Sequence, residues 1–593
     1  MNRNSTSHFS ASDNQINMGR SKFNRDSWYK STFNVGDLIP FYVDEVLPGD
    51  TFDMKTSLVA RLATPFAPVM DNAYLDTYFF FVPTRLTWEN WEAFNGEADP
   101  DAWDTIVDRE IPGYIWTSAI GGIGISNYSL GDYFGLPVST DGDVYSSDLF
   151  INVLPFRAYH IIWNEWFRDQ NLQDPFYVFK GDGCTYDQFN SLNTLHKVNK
   201  FHDYFTSALP APQKGPAVMI PGFNDLEGVP VTTGARHSAY SGSGNQSYIM
   251  QFSGLGNVGF DRNTTFEANI KTDGAGRAFL RSGASKEREG TETGLVPVNL
   301  RIGDSTGLVD TATIDALRYA FQVQKFLWRE GNGGSRYTEL IRSHFGVVSP
   351  DARLQRPEYL GGKRIPLTMN QVIQQSASTN VTPGSGDPYA SPLGNTGAYS
   401  KTVDSFNGFQ KSFTEHGYII GVCCVRTDHT YQNGINKMWS RRDRFDFYYP
   451  EFANIGEQPI YNREIYVGKN SIRDILPDEA SDNKFHGQVD PNEVFGYQEA
   501  WAEYRYRPSY VTGAFRSNAS NGSLDVWHYA DDYEWAPHLS SEWIAEPLEN
   551  MNRTIVVQGT DERREQVLLD MFFDLKCTRP MPVYSVPGLV DHF

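Results

Sequence analysis

The strongest strand signals in this chain sit at its two ends, and that placement constrains the fold more than any other feature. Residues 35–83 carry three of them. Leu38 to Val46 is an extended run that breaks at Pro48-Gly49-Asp50, a turn signal. Phe52, Met54, Thr56, Leu58, Ala60 and Leu62 recur at period 2, as in a half-buried strand. Tyr74 to Val82 (YLDTYFFFV) is almost continuously aromatic, which suits a strand buried on both faces. The remaining signals come late: His416 to Arg426 (HGYIIGVCCVR), Asp443 to Pro450 (DRFDFYYP) and Val567 to Cys577 (VLLDMFFDLKC). The ends must therefore pair across hundreds of residues. A single eight-stranded antiparallel jelly roll, mainly β, with long loop insertions and a few helices meets this demand, because its strands are joined by long crossings between two sheets.

Composition agrees. Phe 39, Tyr 32 and Trp 13 stand beside Gly 51 and Pro 32, and abundant aromatics with many turns fit an all-β chain. A length of 593 residues suggests several domains, but an all-β chain with large insertions can remain one. The net charge of -21 argues against coating nucleic acid over the whole surface, while leaving room for a locally basic face. Four cysteines (Cys184, Cys423, Cys424, Cys577) without a CxxC do not make a disulfide framework, so a reducing compartment is expected. No apolar run has the length of a membrane span, and MNRNSTSHFSASDNQ has no signal-peptide core. Without a secretion signal, sequons such as Asn245-Gln-Ser and Asn263-Thr-Thr are read as chance.

Three helices are expected. Pro155 to Asn171 places Phe156, Tyr159, Ile162, Trp163, Trp166 and Phe167 on one stripe. Thr313 to Glu330 aligns Ile314, Leu317, Phe321 and Trp328, with Gly331 as its stop. Tyr337 to Phe345 is shorter, with Leu340, Ile341 and Phe345 on one face. Residues 87–150 read as a long ordered insertion. Residues 222–307 are rich in Gly, Ser, Thr and Asn and read as a second insertion, of short strands and turns. Ser376 to Gln410 is taken as a further loop, and 451–553 as loops and short pieces. The boundaries that follow are an arm at 1–34, first strands with a helical and loop insertion at 35–221, the insertion at 222–307, and remaining strands, loops and tail at 308–593. The proline-rich tail RPMPVYSVPGLVDHF is too apolar to be left in solvent and reads as pinned to a neighbour.

Two groups of cations stand out. In residues 1–30, Arg3, Arg20, Lys22, Arg25 and Lys30 outnumber Asp13 and Asp26 and are interleaved with Phe9, Phe23, Trp28 and Tyr29. Cations with stacking aromatics suit single-stranded nucleic acid; the competing reading is a tail that docks on another subunit. Arg336, Arg342, Arg353, Arg356 and Arg364 crowd a turn-rich stretch, with Arg505 and Arg507 in a second cluster, WAEYRYRPS. Arginine makes fixed bidentate contacts to carboxylates, so these read as a clamp between loops or subunits. A solvated surface loop is the alternative.

Catalytic and metal patterns are weak. Asn164-Glu165 between tryptophans suggests a glycosidase acid, but no second carboxylate is fixed at catalytic separation. Gly254-Leu-Gly256-Asn-Val-Gly259 spells GxGxxG, yet a strand-like segment follows it where a dinucleotide site needs a helix. No zinc spacing, HExxH, P-loop or GxSxG appears. His196, His202, His528 and His538 read as surface loop residues. Asp99-Pro-Asp101, Asp141-Gly-Asp143 and Asp531-Asp532 lack the EF-hand pattern. No cofactor, metal or enzymatic activity is expected.

Four stretches carry a family resemblance: Leu154 to Pro175 (LPFRAYHIIWNEWFRDQNLQDP), Asp203 to Gly215 (DYFTSALPAPQKG), GGSRYTELIRSHFGVVSPDARLQRPEYLGG ending at Gly362, and Arg579 to His592 (RPMPVYSVPGLVDH). Together, and in this order, they resemble the major capsid proteins of the gokushovirus branch of the microviruses, small phages with single-stranded DNA genomes. The resemblance spans essentially the whole chain. It implies a viral jelly roll that self-assembles into a 60-subunit T=1 shell in the bacterial cytoplasm. The implied partners are packaged single-stranded DNA, small DNA-binding or minor capsid proteins and pilot proteins, an internal scaffolding protein, and a host-surface receptor that includes a possible glycan. It places the arm inside the shell and the 222–307 insertion outside as a three-fold protrusion, where Tyr240, Tyr248, Phe252, Phe260 and Phe266 are the candidate host-contact residues. The alternative from residue chemistry is a β-sandwich carbohydrate-active enzyme or lectin, motivated by aromatic platforms with scattered carboxylates.

Overall fold

The alternation at Phe52–Leu62 is realised in the structure: Phe52, Met54, Thr56, Leu58, Ala60 and Leu62 point inward along strand β4 (Thr51–Leu62). The structure is a computed structural model. It describes residues 19–95, 109–116, 125–138, 149–216, 218, 231–233, 269–272, 278–281, 300–302, 314–333, 337–347, 355–375, 378–379, 390–391, 396–467, 492–556 and 565–584. The chain divides into two compact units, Met1–Lys214 with Trp328–Phe593, and Gly215–Leu327. The second unit contains the span 222–307; its described strands form two short antiparallel pairs, Asn269–Thr272 with Ala278–Arg281 and Val231–Thr233 with Leu300–Ile302.

The first unit is built on nine strands in two antiparallel sheets. They are β1 (Ser21–Asn24), β2 (Ser27–Phe33), β3 (Ile39–Val46), β4, β5 (Ala73–Pro83), β6 (Glu358–Pro366), β7 (Thr402–Ser412), β8 (Gly417–Thr427) and β9 (Val567–Arg579). One sheet has the order β1/β2–β9–β4–β7, with β1 and β2 pairing along successive stretches of β9. The other has the order β6–β5–β8–β3. From β2 onward successive strands cross between the sheets, except for the long excursion from β5 to β6. This is the plan of a jelly roll. The ends pair as expected, from Val567 opposite Leu62 to Thr578 opposite Thr51.

The inner faces of the sheets share one apolar core. Phe41 stacks on Phe573 at 5.8 Å between centroids, Phe79 meets Phe409 at 5.3 Å, and Phe81 meets Phe413 at 4.6 Å. The β6–β5–β8–β3 sheet is covered on its outer face as well. There Phe80, Ile420, Val422 and Cys424 pack with Phe156, Tyr159 and Ile162 of helix α1 (Leu154–Ile162) in a second core. Burial on both faces explains the aromatic run of β5 and the small-apolar run of β8. It also explains the adjacent cysteines: Cys423 faces one core and Cys424 the other, and both are free thiols. A third apolar cluster, including Phe205, Tyr431, Ile465 and Phe495, lies around the hairpin Glu457–Tyr461 with Val494–Glu499.

Four expectations need correction. Asp443 to Pro450 is not a strand but two 3-10 turns, Arg444–Asp446 and Pro450–Phe452, on an exposed surface. The Asp446 carboxylate accepts the Arg442 and Asp443 amides at 2.7 and 2.9 Å, so a side chain takes the donors a strand ladder would need. Ser376 to Gln410 is not all loop, because Thr402–Ser412 is the edge strand β7 and Thr396–Ser400 pairs with Met369–Ile373. Thr402 and Asp404 at the more buried positions of β7, and Val403 at an exposed one, disguise its period. The helix from Pro155 does not continue to Asn171: α1 passes at Trp163 into a π-helical turn, Trp163–Phe167, closed by the Arg168 amide on the Trp163 carbonyl at 2.9 Å. The helix Ile314–Gly333 runs through Gly331 rather than stopping there.

β6 went unread because Gly361-Gly362 looks like a turn. A Cβ on Gly361 would lie 2.2 Å from the Gly408 carbonyl oxygen, and one on Gly362 2.0 Å from that of Thr77. The pair is there for close backbone approach.

Neighbouring residues on β9 allow a controlled test of the core. Phe573→Ala removes a ring held between Phe41 and Tyr42 and is expected to cost about 3–5 kcal/mol. Phe572→Ala, on the opposite face beside Trp28, is expected to cost about 1 kcal/mol or less. Denaturant unfolding of the soluble subunit measures both.

Candidate functional site

The candidate cations fall at four places. Arg3 lies outside the described residues. Lys22, Asn24, Trp28 and Lys30 are exposed at alternate positions of β1 and β2, so two cations and a tryptophan share the outer face of the sheet. Trp28 is 70% exposed and tilts over Phe572 at 4.9 Å. Lys30 pairs with Asp570 across the strands at 2.6 Å. Arg25 turns away to a two-point contact with Asp44, the second bond being 3.0 Å, and Arg20 is exposed just before β1.

Of the clamp arginines, Arg336 and Arg353 lie outside the described residues. Arg342 is exposed on the helix Tyr337–Phe345. Arg364 sits opposite Asp76 in the β5–β6 register and donates to it from Nε at 2.7 Å and Nη2 at 3.2 Å. Arg426 of β8 binds the same buried carboxylate from the other side, and its Nη2 also donates to the Tyr78 hydroxyl at 2.9 Å. Both guanidinium carbons lie 4.3 Å from the centroid of the Phe201 ring. Hydrogen bonding to Asp76 raises the Arg364 pKa. Two guanidinium groups thus share one carboxylate and leave a positive charge in excess. A cleft of about 500 Å³ opens over them, bounded by Trp166 and Tyr359. Arg356 stacks on Trp166 at 5.8 Å, which brings it to the same aromatic group.

Arg505 and Arg507 line a separate cleft of about 890 Å³ with Trp439, Arg441 and Tyr504. Arg505 pairs with Glu499 at 2.8 Å, and Arg507 donates to the Tyr510 hydroxyl at 3.2 Å. Glu503 at the cleft wall takes Arg441 at 3.0 Å and Lys437 at 3.8 Å. The structure therefore divides the clamp arginines between two clefts and one exposed helix. The host-contact candidates Tyr240, Tyr248, Phe252, Phe260 and Phe266 all lie outside the described residues.

One charged cluster was not legible in the sequence. His429 is buried between Asp531, at 3.2 Å from Nδ1, and Glu546, at 3.0 Å from Nε2. Lys200 adds a second cation 3.6 Å from Asp531 and lies over Trp543 at 4.5 Å. The Asn550 amide also donates to Asp531, and Thr427 donates to Glu546 through Oγ1 at 2.6 Å and its amide at 3.0 Å. Burial opposes charge on His429, but Asp531 and Glu546 outweigh it and push its pKa up to about 10. Burial likewise works against the Asp531 carboxylate, yet Lys200 and His429 hold it well below the usual range. A histidine held protonated at neutral pH is a poor general base, and this cluster joins segments of the chain.

Two other histidines correct the surface reading. His196 lies half-buried, stacked on Trp163 at 4.1 Å and hydrogen bonded to His160 at 2.7 Å, while His528 is buried and bonded to the Phe515 carbonyl. Burial lowers the His160 pKa to about 4, so that pair is neutral. Asn164 brackets the Phe176 backbone with two 2.8 Å bonds and has a structural task. Asp99, Asp101, Asp141 and Asp143 lie outside the described residues. Asp531 is already bound by cations, and among the described residues no group of His, Cys, Asp or Glu could hold a metal ion. No helix among them is long and apolar enough to cross a membrane.

What this arrangement offers is surfaces rather than a reaction centre, and comparison with known proteins agrees. The capsid protein (F protein) family model matches residues 12–589. Three relatives named capsid protein VP1 align over nearly full length. That of Bdellovibrio phage phiMH2K is 41% identical over 583 residues, 98% of this chain and 97% of the relative. That of Chlamydia phage 1 is 37% identical, covering 96% of each. That of Spiroplasma virus 4 is 36% identical, covering 94% and 93%. The chain belongs to this capsid protein family. The resemblance to gokushovirus capsids drawn from four stretches thus extends over the whole chain. As a capsid protein it is a structural component of the virion, self-assembling into a shell, and not an enzyme. The reading as a carbohydrate-active enzyme or lectin is not favoured.

In a capsid subunit, the His429 cluster acts on stability. His429→Ala leaves two buried carboxylates facing Lys200 alone and is expected to cost about 3–5 kcal/mol. The pH dependence has a definite sign. The folded pKa of His429 is raised, so its contribution is complete below the unfolded value near 6.5 and is lost as pH rises through about 10. The folded pKa of Asp531 is lowered, so its contribution holds above about 4 and is lost only in strong acid. Unfolding of the wild-type subunit between pH 6.5 and 9 is therefore expected to show stability falling by up to about 1.4 kcal/mol per pH unit from this group, and the variant to lack that slope.

Proposed function

We propose that this chain is the major subunit of a T=1 shell of 60 copies that encloses a single-stranded DNA phage genome. The observation that carries the proposal is full-length similarity to three phage capsid proteins together with a sandwich closed by its own chain ends. Such a closed sandwich is a rigid block, and loops and tails are left to make the repeated contacts that close a shell. Many weak contacts repeated by symmetry suffice for cooperative assembly.

The outer face of β1 and β2 supports a genome-facing role. Lys22 and Trp28 combine a cation with an exposed stacking surface on a chain whose net charge is -21, while Lys30 beside them is paired with Asp570. A local basic and aromatic strip is what sequence-tolerant binding of single strands requires. Assembly in the host cytoplasm fits four free thiols. The residues 222–307, as an external protrusion, would meet the host receptor, and scaffolding, small DNA-binding and pilot proteins would be the assembly partners.

Sedimentation and negative-stain microscopy of the chain, expressed alone and with its phage's other structural proteins, test the reading. Closed shells, or pentamer-sized intermediates that become shells on co-expression, are the expected result. A folded chain that stays monomeric under both conditions overturns it. For the genome-facing strip, Lys22→Glu with Trp28→Ala is expected to leave shells intact and to lower nuclease-protected single-stranded DNA per shell by about half or more. Unchanged DNA content places the genome contact elsewhere.

A further inference from the structure

The segment 435–452, which includes the Asp443 to Pro450 stretch expected as a strand, carries a run of exposed aromatic side chains. Trp439 is 75% exposed and Phe445 59%, and Met438, Phe447, Tyr448 and Tyr449 are exposed beside them. Isolated apolar side chains on a surface are ordinary, but a contiguous run is not. Nor is the run loose. Asn436 caps the turn Lys437–Ser440, Asp446 reaches back to accept the Arg442 and Asp443 amides, and the backbone is anchored from below by Trp501, whose indole donates to the Phe452 carbonyl at 2.9 Å. Trp501 itself adopts a left-handed conformation (φ 63°), which a bulky side chain accepts only where its surroundings dictate it. The ridge is thus held rigid while exposing aromatic rings to water.

We propose that this ridge, with the adjoining cleft at Arg441, is a contact hot spot for a second copy of the chain. The inference rests on the capsid reading and adds to it the surface used. Three observations favour this occupant. Trp, Tyr and Arg dominate the surface, the residue types that carry most of the energy of protein interfaces. The ridge is pre-organised, which lowers the entropy cost of docking. Charge supplies the third argument, and it separates a protein partner from nucleic acid. Arg441 and Lys437 are already paired with Glu503, and Arg505 with Glu499. Cations held against carboxylates of the same chain offer a phosphate backbone little open track, while the exposed Arg444 is left to meet a carboxylate of the second copy. Two copies of a chain with net charge -21 repel one another over most of their surface. They meet most favourably where carboxylates are matched by cations and apolar rings remain to be buried, and the ridge is such a place.

The test uses the full chain co-expressed with its phage's structural proteins. Trp439→Ala with Phe447→Ala removes two exposed rings, and Arg444→Glu reverses a charge on the same turn. Both variants are expected to remain soluble with the wild-type unfolding midpoint and to yield roughly tenfold less assembled material by sedimentation. Wild-type assembly by both variants overturns the inference. So does wild-type assembly with reduced nuclease-protected DNA, which would make the ridge a genome contact. Failure of the wild-type chain itself to assemble is a separate result and sinks the capsid reading, whereas a defect confined to the variants supports the ridge.

Discussion

Pairing of β9 with β4 is the constraint on which the first unit depends. Twelve register positions from Val567–Leu62 to Thr578–Thr51 bring the last strand to the centre of its sheet, between β4 and the β1–β2 edge. Without β9, β1 and β2 have no sheet to join, β4 loses one neighbour, and Phe41 and Tyr42 lose the Phe573 ring they pack against. Everything inserted between the first five strands and the last can vary in length at small entropic cost, because loop closure grows only logarithmically with length. That is how a sandwich of modest size carries so long a chain.

Charge is handled differently inside and outside this frame. Beneath the surface His429 and Lys200 are matched by Asp531 and Glu546, whereas nearer the surface Arg364 and Arg426 share the one buried carboxylate of Asp76. These sets bring together segments far apart in the chain, and buried charge left alone would cost several kcal/mol. The outer surfaces then carry the chain's excess negative charge, interrupted by the Lys22–Lys30 strip and the aromatic ridge.

Legibility followed period. β4 could be read because its buried residues alternate, and β5 and β8 because burial on both faces makes them continuously apolar. β7 could not, since Thr402, Val403 and Asp404 conceal the same alternation, and β6 could not, since Gly361-Gly362 mimics a turn. At the candidate site, arginine-rich stretches announced themselves but their partners did not. Asp76 was hidden within YLDTYFFFV; a lone acid inside an aromatic strand was the one available hint that a cation would be waiting for it. The His429 cluster draws on residues near 200, 429, 531, 546 and 550, and no local pattern could have assembled it. The 443–450 segment misled because its aromatic residues suggested burial, whereas the carboxylates between them had taken the backbone amides for turns.

The late position of β9 also has a consequence for biosynthesis. A ribosome that has finished β4 must add some five hundred residues before the partner strand exists, on the order of a minute at bacterial speeds. Throughout that interval the apolar rows of β4 and β5 have no complete core to enter. A nascent capsid subunit therefore exposes apolar surface until its last twentieth is made, and a message truncated even shortly before Val567 yields an open sheet edge rather than a smaller subunit. The same arrangement acts as a proofreading step, because only full-length translation products can present a closed block to the growing shell.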